Sequence, residues 1–145
     1  MSPPGVSREL SRLILGLLVA IQATDGFYAL FAPRSFYDDF PLGRGWVEAL
    51  PAYNEHLVRD VGSLFLATAV FLAAAAIWLE RRLVIVALVS FLVFSIPHTI
   101  FHLLNLDGIS TGDAIAESVL LILTVIAPLA LLVAILRRPV PPAVG

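Results

Sequence analysis

Four long runs of apolar residues, separated by short polar or proline-containing breaks, dominate this chain. The first runs from about residue 13 to 31 and stops before Pro33, and the second covers about 56–79, with no charge after Asp60. The third spans 83–104 and the fourth about 114–136. The breaks hold Pro33, Pro41 and Pro51, then Glu80-Arg81-Arg82, then Asn105-Leu106-Asp107-Gly108, and finally Arg137-Arg138-Pro139. A helix needs about 20 apolar residues to cross a hydrocarbon core of roughly 30 Å, and each run meets that length. The pattern therefore predicts an all-α integral membrane protein, an up-down four-helix bundle forming a single domain over residues 1–145. The first run is longer than the core of a cleaved signal, lacks an Ala-x-Ala site directly after it and contains Asp25, so it is read as a retained helix.

Composition sharpens this picture. With 59% hydrophobic and 14% charged residues, and a mean hydropathy of +0.95, a water-soluble surface cannot be assembled. A net charge of -2 without a basic run excludes nucleic acid as a partner. Cysteine is absent, which removes disulfides, thiolate metal sites and thiol redox cycling.

Charge also orients the bundle. If the helices alternate, Arg8, Arg12, Arg81, Arg82, Arg137 and Arg138 fall on one side, and Arg34, Arg44 and Arg59 on the other. The positive-inside rule then places both termini in the cytoplasm, in the cell membrane, with a long loop over 32–55 facing outward. Phe36, Tyr37, Phe40, Trp46 and Tyr53 in that loop suit a segment at headgroup level.

The ionisable residues within the spans gather in the outer half. Asp25 lies six residues before Phe31 and His98 six before residue 104, each about 9 Å deep. Asp60 and Glu117 stand about one turn inside the second and fourth spans. His98 and His102 share one helix face, as do His56 and Asp60, with Arg59 adjacent. Lipid satisfies none of these groups, so their faces are expected to point inward. Asp25, His56, Arg59, Asp60 and Glu117 form the candidate catalytic cluster, and His98 with His102 the candidate metal ligands.

Plainer roles compete for each residue. The second and fourth helices begin at the outer surface, where the helix dipole favours acids, and Ser110 to Asp113 resembles a capping box. Arg59 beside Asp60 makes a simple ion pair, and the two histidines serve equally as polar contacts between helices. Asp25 resists this treatment. It sits near the C-terminal end of its helix, where the dipole disfavours a carboxylate, and it needs Arg59, a histidine, a cation or a proton. Pro97 and Pro128 are expected to kink the third and fourth helices.

Two sharper chemistries fit the set. Two histidines on one face with carboxylates from neighbouring helices suit Zn, Fe or Mn, although the Glu-x-x-His repeat of di-iron bundles is missing. A histidine near a carboxylate in low dielectric also suits acid–base work on a quinone or other lipid-soluble ligand at the outer leaflet. Haem fits less well, because His98 and His102 lie on one helix and only His56 remains for the opposite axial position.

The stretch Tyr53-Asn54-Glu55-His56-Leu57-Val58-Arg59-Asp60-Val61-Gly62, with the apolar run Leu64 to Ala76 after it, resembles the second helix of DoxX-like small bacterial membrane proteins. The four-span layout and long first loop are similar too, over about residues 10–136. The resemblance implies a four-helix bundle and a role like that of small subunits in quinone-linked oxidoreductases. It does not extend to His98 and His102.

The sequence thus leads to an accessory or structural membrane subunit with a polar site in its extracytoplasmic half. The alternative is a membrane-embedded enzyme or metal-binding protein acting at the outer leaflet, and an oligomeric transporter stands third. The partners expected are membrane lipids, further copies of the chain or a larger membrane complex, and a lipid-soluble ligand.

Overall fold

A computed structural model describes residues 7–50 and 52–137. Pro51, Arg138 and Pro139, which entered the sequence reading as breaks and charges, lie outside the described residues. The chain is an all-α membrane bundle of four long helices, α1 (Arg8–Phe31), α3 (Glu55–Trp78), α4 (Arg81–Leu104) and α5 (Thr111–Leu136), with a short α2 (Pro33–Asp39) after the first. Each long helix is long and apolar enough to cross a bilayer. In the ring they stand in the order α1, α3, α4, α5, and α5 returns to touch α1. Helices α1 and α4 are therefore diagonal.

The helices start earlier than three of the apolar runs, because capping residues lie beyond the hydrophobic stretch. Ser7 accepts the Leu10 amide at 3.0 Å ahead of α1, and Ser110 accepts the Asp113 amide at 3.1 Å ahead of α5. Helix α4 starts at Arg81 because α3 and α4 are joined only by Leu79 and Glu80, with Leu79 in the left-handed region at φ 49°. Such a short link forces the two helices antiparallel. Both α4 and α5 continue through Pro97 and Pro128.

Arginines satisfy helix ends. Arg12 donates to the Ala76 carbonyl near the end of α3, Arg81 to the Ile135 carbonyl near the end of α5, and Arg59 to the Leu30 carbonyl near the end of α1. The final carbonyls of a helix lack intrahelical donors and carry the negative end of its dipole, so a guanidinium there serves both needs.

The two halves of the bundle are built differently. Toward the end that carries the chain termini (the terminal end), Leu15, Leu18, Leu72, Leu88, Phe91 and Leu131 pack into an apolar core. Toward the end that carries α2 and the loop after it (the loop end), the buried side chains include Gln22, Ser95, Thr99, His102 and Glu117. The outward faces carry exposed Leu17, Phe27, Leu64, Val70, Ile77 and Val93, as lipid contact requires. Where α1 crosses α3, Gly26 and Gly62 bring the two backbones together: a methyl at Gly62 would lie 2.6 Å from the Leu30 amide nitrogen.

Candidate functional site

The candidate residues divide into three groups. On the inner faces of α4 and α5, His102 Nδ1 and Glu117 Oε1 are 2.6 Å apart, with side chains only 10% and 5% exposed. The positions lie on different helices, and each is carried inward on a buried face: Phe91, Leu92, Ser95 and Thr99 below His102, and Pro128 and Leu131 below Glu117. The hydrogen bond between the imidazole and the carboxyl group satisfies two polar groups that lipid would leave without partners. His98, one turn deeper and half-buried, holds its ring 4.4 Å from that of His102 and stacks on Phe94 at 4.9 Å. Phe94 meets Phe65 of α3 at 5.0 Å, so a file of rings joins α3 to the α4–α5 pair.

At the start of α3 the picture is different. His56 Nε2 and Asp60 Oδ2 are 3.2 Å apart along one helix face, but they are 87% and 56% exposed. The inward-pointing arrangement expected for them is not adopted. They occupy the first two turns of α3, where the helix dipole suits an acid and the polar end of the bundle does not require burial. Arg59 pairs with Glu55 at 2.9 Å and reaches across to the Leu30 carbonyl, rather than pairing with Asp60. An i,i+4 partner on its own helix and an open carbonyl on α1 both lie on its side of α3, whereas Asp60 is its immediate neighbour and faces elsewhere.

Asp25 stands apart. It is half-buried on α1, three residues from Gln22, and no hydrogen bond or ion pair joins it to any described residue. None of Arg59, His56, His98 and His102 is brought to it. The structure therefore assembles His98, His102 and Glu117, and leaves His56, Asp60, Arg59 and Asp25 outside that group. Among the described residues, no three His, Asp or Glu side chains are gathered in a way that would hold a metal ion.

Sequence reasoning missed a third feature, the clamp of the loop onto α5. Arg44 donates to Asp113 Oδ1, Trp46 Nε1 donates to the same oxygen at 3.1 Å, and Ser110 donates to Oδ2 at 2.6 Å. Tyr37 donates to the Glu48 and Leu50 carbonyls, and Phe36 packs against Tyr28 and Phe40, so α2 and the loop lie folded over the bundle. Beside them Arg34 pairs with Asp38 at 2.6 Å, a bond that holds its guanidinium pKa above the ordinary value, and sits 5.0 Å from the Tyr53 ring. The cluster of Trp, Tyr and Arg in the loop was the available signal.

Two surface grooves carry none of the candidate side chains. One runs between α1 and α3 past Val19, Phe27, Leu66 and Val70, and the other between α3 and α4 past Val61, Leu64, Thr68 and Phe94. Compared with family models, with curated proteins and with solved structures, the chain matches none of them.

Proposed function

We propose that this chain is an accessory or structural membrane subunit whose polar site, in the extracytoplasmic half, holds its own helices together. The observation that supports this is the buried His102–Glu117 pair, 2.6 Å apart. Each group spends its hydrogen bond on the other, and the bond ties α4 to α5 where the apolar core has ended. A general base or a ligand donor must reach a substrate or an ion. These two reach each other.

Orientation belongs to the same proposal. Arg8, Arg12, Arg81, Arg82 and Arg137 sit at the terminal end, which the positive-inside rule assigns to the cytoplasm of a cell membrane. The exposed His56–Asp60 and Glu55–Arg59 pairs then face outward and offer a polar surface to a larger assembly or a second copy. The relation to DoxX-like bacterial proteins, and through it to quinone-linked complexes, is supported by the Asn54 to Gly62 motif.

A second reading, a metal-binding or acid–base site for a lipid-soluble ligand, is favoured by the His98 and His102 rings lying 4.4 Å apart beside Glu117. Metal analysis and an absorption spectrum of protein purified without added metal separate the two. The subunit reading expects no stoichiometric metal, no chromophore, and co-migration with a larger partner after mild extraction from the native membrane. Stoichiometric metal that disappears in the His98→Ala/His102→Ala double variant would replace it with the second reading.

A further inference from the structure

Two hydroxyls on the lipid-facing side of α3 are satisfied by their own helix. Ser63 donates to the Arg59 carbonyl at 3.0 Å and Thr68 to the Leu64 carbonyl at 2.9 Å, each bond reaching back four residues. Two interior groups are not satisfied this way. The Gln22 amide nitrogen and the Ser95 hydroxyl have no hydrogen-bond partner in the protein, although their residues are 3% and 2% exposed.

Their placement relates them. Gln22 shares the inward face of α1 with Leu15 and Leu18, and Ser95 shares that of α4 with Phe91 and Leu92. Gln22 lies nine residues before Phe31, the end of α1, and Ser95 nine before Leu104, the end of α4. Both helices end at the loop end, so the two side chains stand at one level. Because α1 and α4 are diagonal in the ring, their inward faces look at each other across the axis. Just beneath lies the apolar layer of Leu18, Leu88 and Phe91; just above, along α4, come Thr99 and His102.

We propose that Gln22 and Ser95 form an internal site for one uncharged oxygen atom, supplied by water or by the hydroxyl or carbonyl of a bilayer-soluble molecule. The amide nitrogen offers donors, and the hydroxyl offers a donor and acceptors, so one oxygen meets both. A charge is not accommodated, because neither side chain carries one and the layer beneath is apolar. The cost of leaving two buried polar groups unmade in a medium without bulk water is what the bound oxygen removes. The leucine layer beneath is continuous apolar packing, so the site does not extend toward the terminal end as a pore would. This assignment stands independently of the accessory-subunit reading.

A double-variant cycle with Gln22→Leu and Ser95→Ala tests it, read as thermal midpoint in two preparations of the full chain. One is exhaustively delipidated in detergent and the other is held in nanodiscs of native lipid. Each single variant is expected to lower the midpoint, and the double by clearly less than the two shifts together, since the first substitution already releases the shared oxygen. Coupling in both preparations identifies water, and coupling only in native lipid identifies a lipid-borne group. Additive shifts in both preparations, including no shift at all, overturn the proposal, as they would if Ser95 turned back to its own helix like Ser63. If Gln22→Leu does not fold, Gln22→Met takes its place in the same cycle.

Discussion

Replacing Gly62 by alanine puts a methyl group into the crossing of α1 and α3, and nothing around it can turn away. The new carbon would lie 2.6 Å from the Leu30 nitrogen, 2.9 Å from the Gly26 oxygen and 3.1 Å from the Ala29 carbonyl carbon, all backbone atoms. Ordinary contact begins near 3.4 Å, so the helices must part by about 0.8 Å. A gap of about 0.5–1 Å forfeits roughly a quarter to a half of each contact's attraction, and contacts are worth about 0.1–0.2 kcal/mol each. Spread over a few tens of atom pairs, the loss is about 1–2 kcal/mol, within the range of about 1–3 kcal/mol for overpacked cores. In Gly26→Ala the new carbon meets the Leu66 side chain at 2.9 and 3.0 Å and one backbone atom, the Gly62 oxygen, at 3.0 Å. Leu66 can change rotamer and the backbone contact is longer than at Gly62, so the loss is smaller. Gly16→Ala meets nothing within 4 Å and gains up to about 1 kcal/mol of helix propensity. Equilibrium unfolding in mixed micelles, followed by the fluorescence of Trp46 and Trp78, ranks the three. The expected order of stability is Gly16→Ala, then Gly26→Ala, then Gly62→Ala. If Gly62→Ala is as stable as Gly16→Ala, the close crossing is refuted.

Other outcomes follow from the polar residues. His102→Ala and Glu117→Ala should each cost about 3–5 kcal/mol, because each leaves a buried group unpaired, while the double variant should cost clearly less than their sum; additive losses in the same unfolding assay would show that the pair is not coupled. Asp25→Leu should stabilise the fold, by up to about 2.5–3.5 kcal/mol if the residue lies near the membrane midplane, since no described residue pairs with its carboxyl. A destabilised Asp25→Leu protein would instead reveal a partner for it. Asp113→Ala should cost about 1 kcal/mol or less globally, since Arg44 is half exposed, yet speed amide exchange across residues 40–50. Exchange unchanged in that segment would mean that the loop is held by other contacts.

The apolar runs were sufficient to read four spans, because lipid imposes one requirement on every turn of a helix. The early start of α1 was not legible in hydropathy, since it depends on the Ser7 cap rather than on apolar residues. Helix α2 was hidden in a loop of mixed polarity; it is set by Pro33 at its first turn and by the burial of Phe36 and Tyr37. His98, His102 and Glu117 were each visible as ionisable groups in apolar helices, but their meeting is a fact of how α4 and α5 pack. His56 and Asp60 share a face as their spacing required, yet a face says nothing about which neighbour it meets. The arginines were read for orientation, and Arg59 also as a candidate site residue and ion-pair partner, but none as a donor to a helix end. Their bonds to the Ala76, Leu30 and Ile135 carbonyls join helix ends distant in sequence. Gly26 and Gly62 carried no signal, because a glycine in an apolar run gains meaning only from the backbone it admits.

Membrane topology is the claim on which the rest depends, and the absence of cysteine makes it directly measurable. Single cysteines at the exposed positions Ser7, Leu42, Glu80, Asp107 and Arg137 would be treated with a membrane-impermeant maleimide in sealed cells and again after permeabilisation. The account predicts that positions 42 and 107 label in sealed cells, and that positions 7, 80 and 137 label only after permeabilisation. Reversal at all five positions would invert the orientation and leave four spans. Labelling of positions 42 and 80 from the same side would contradict the bundle itself.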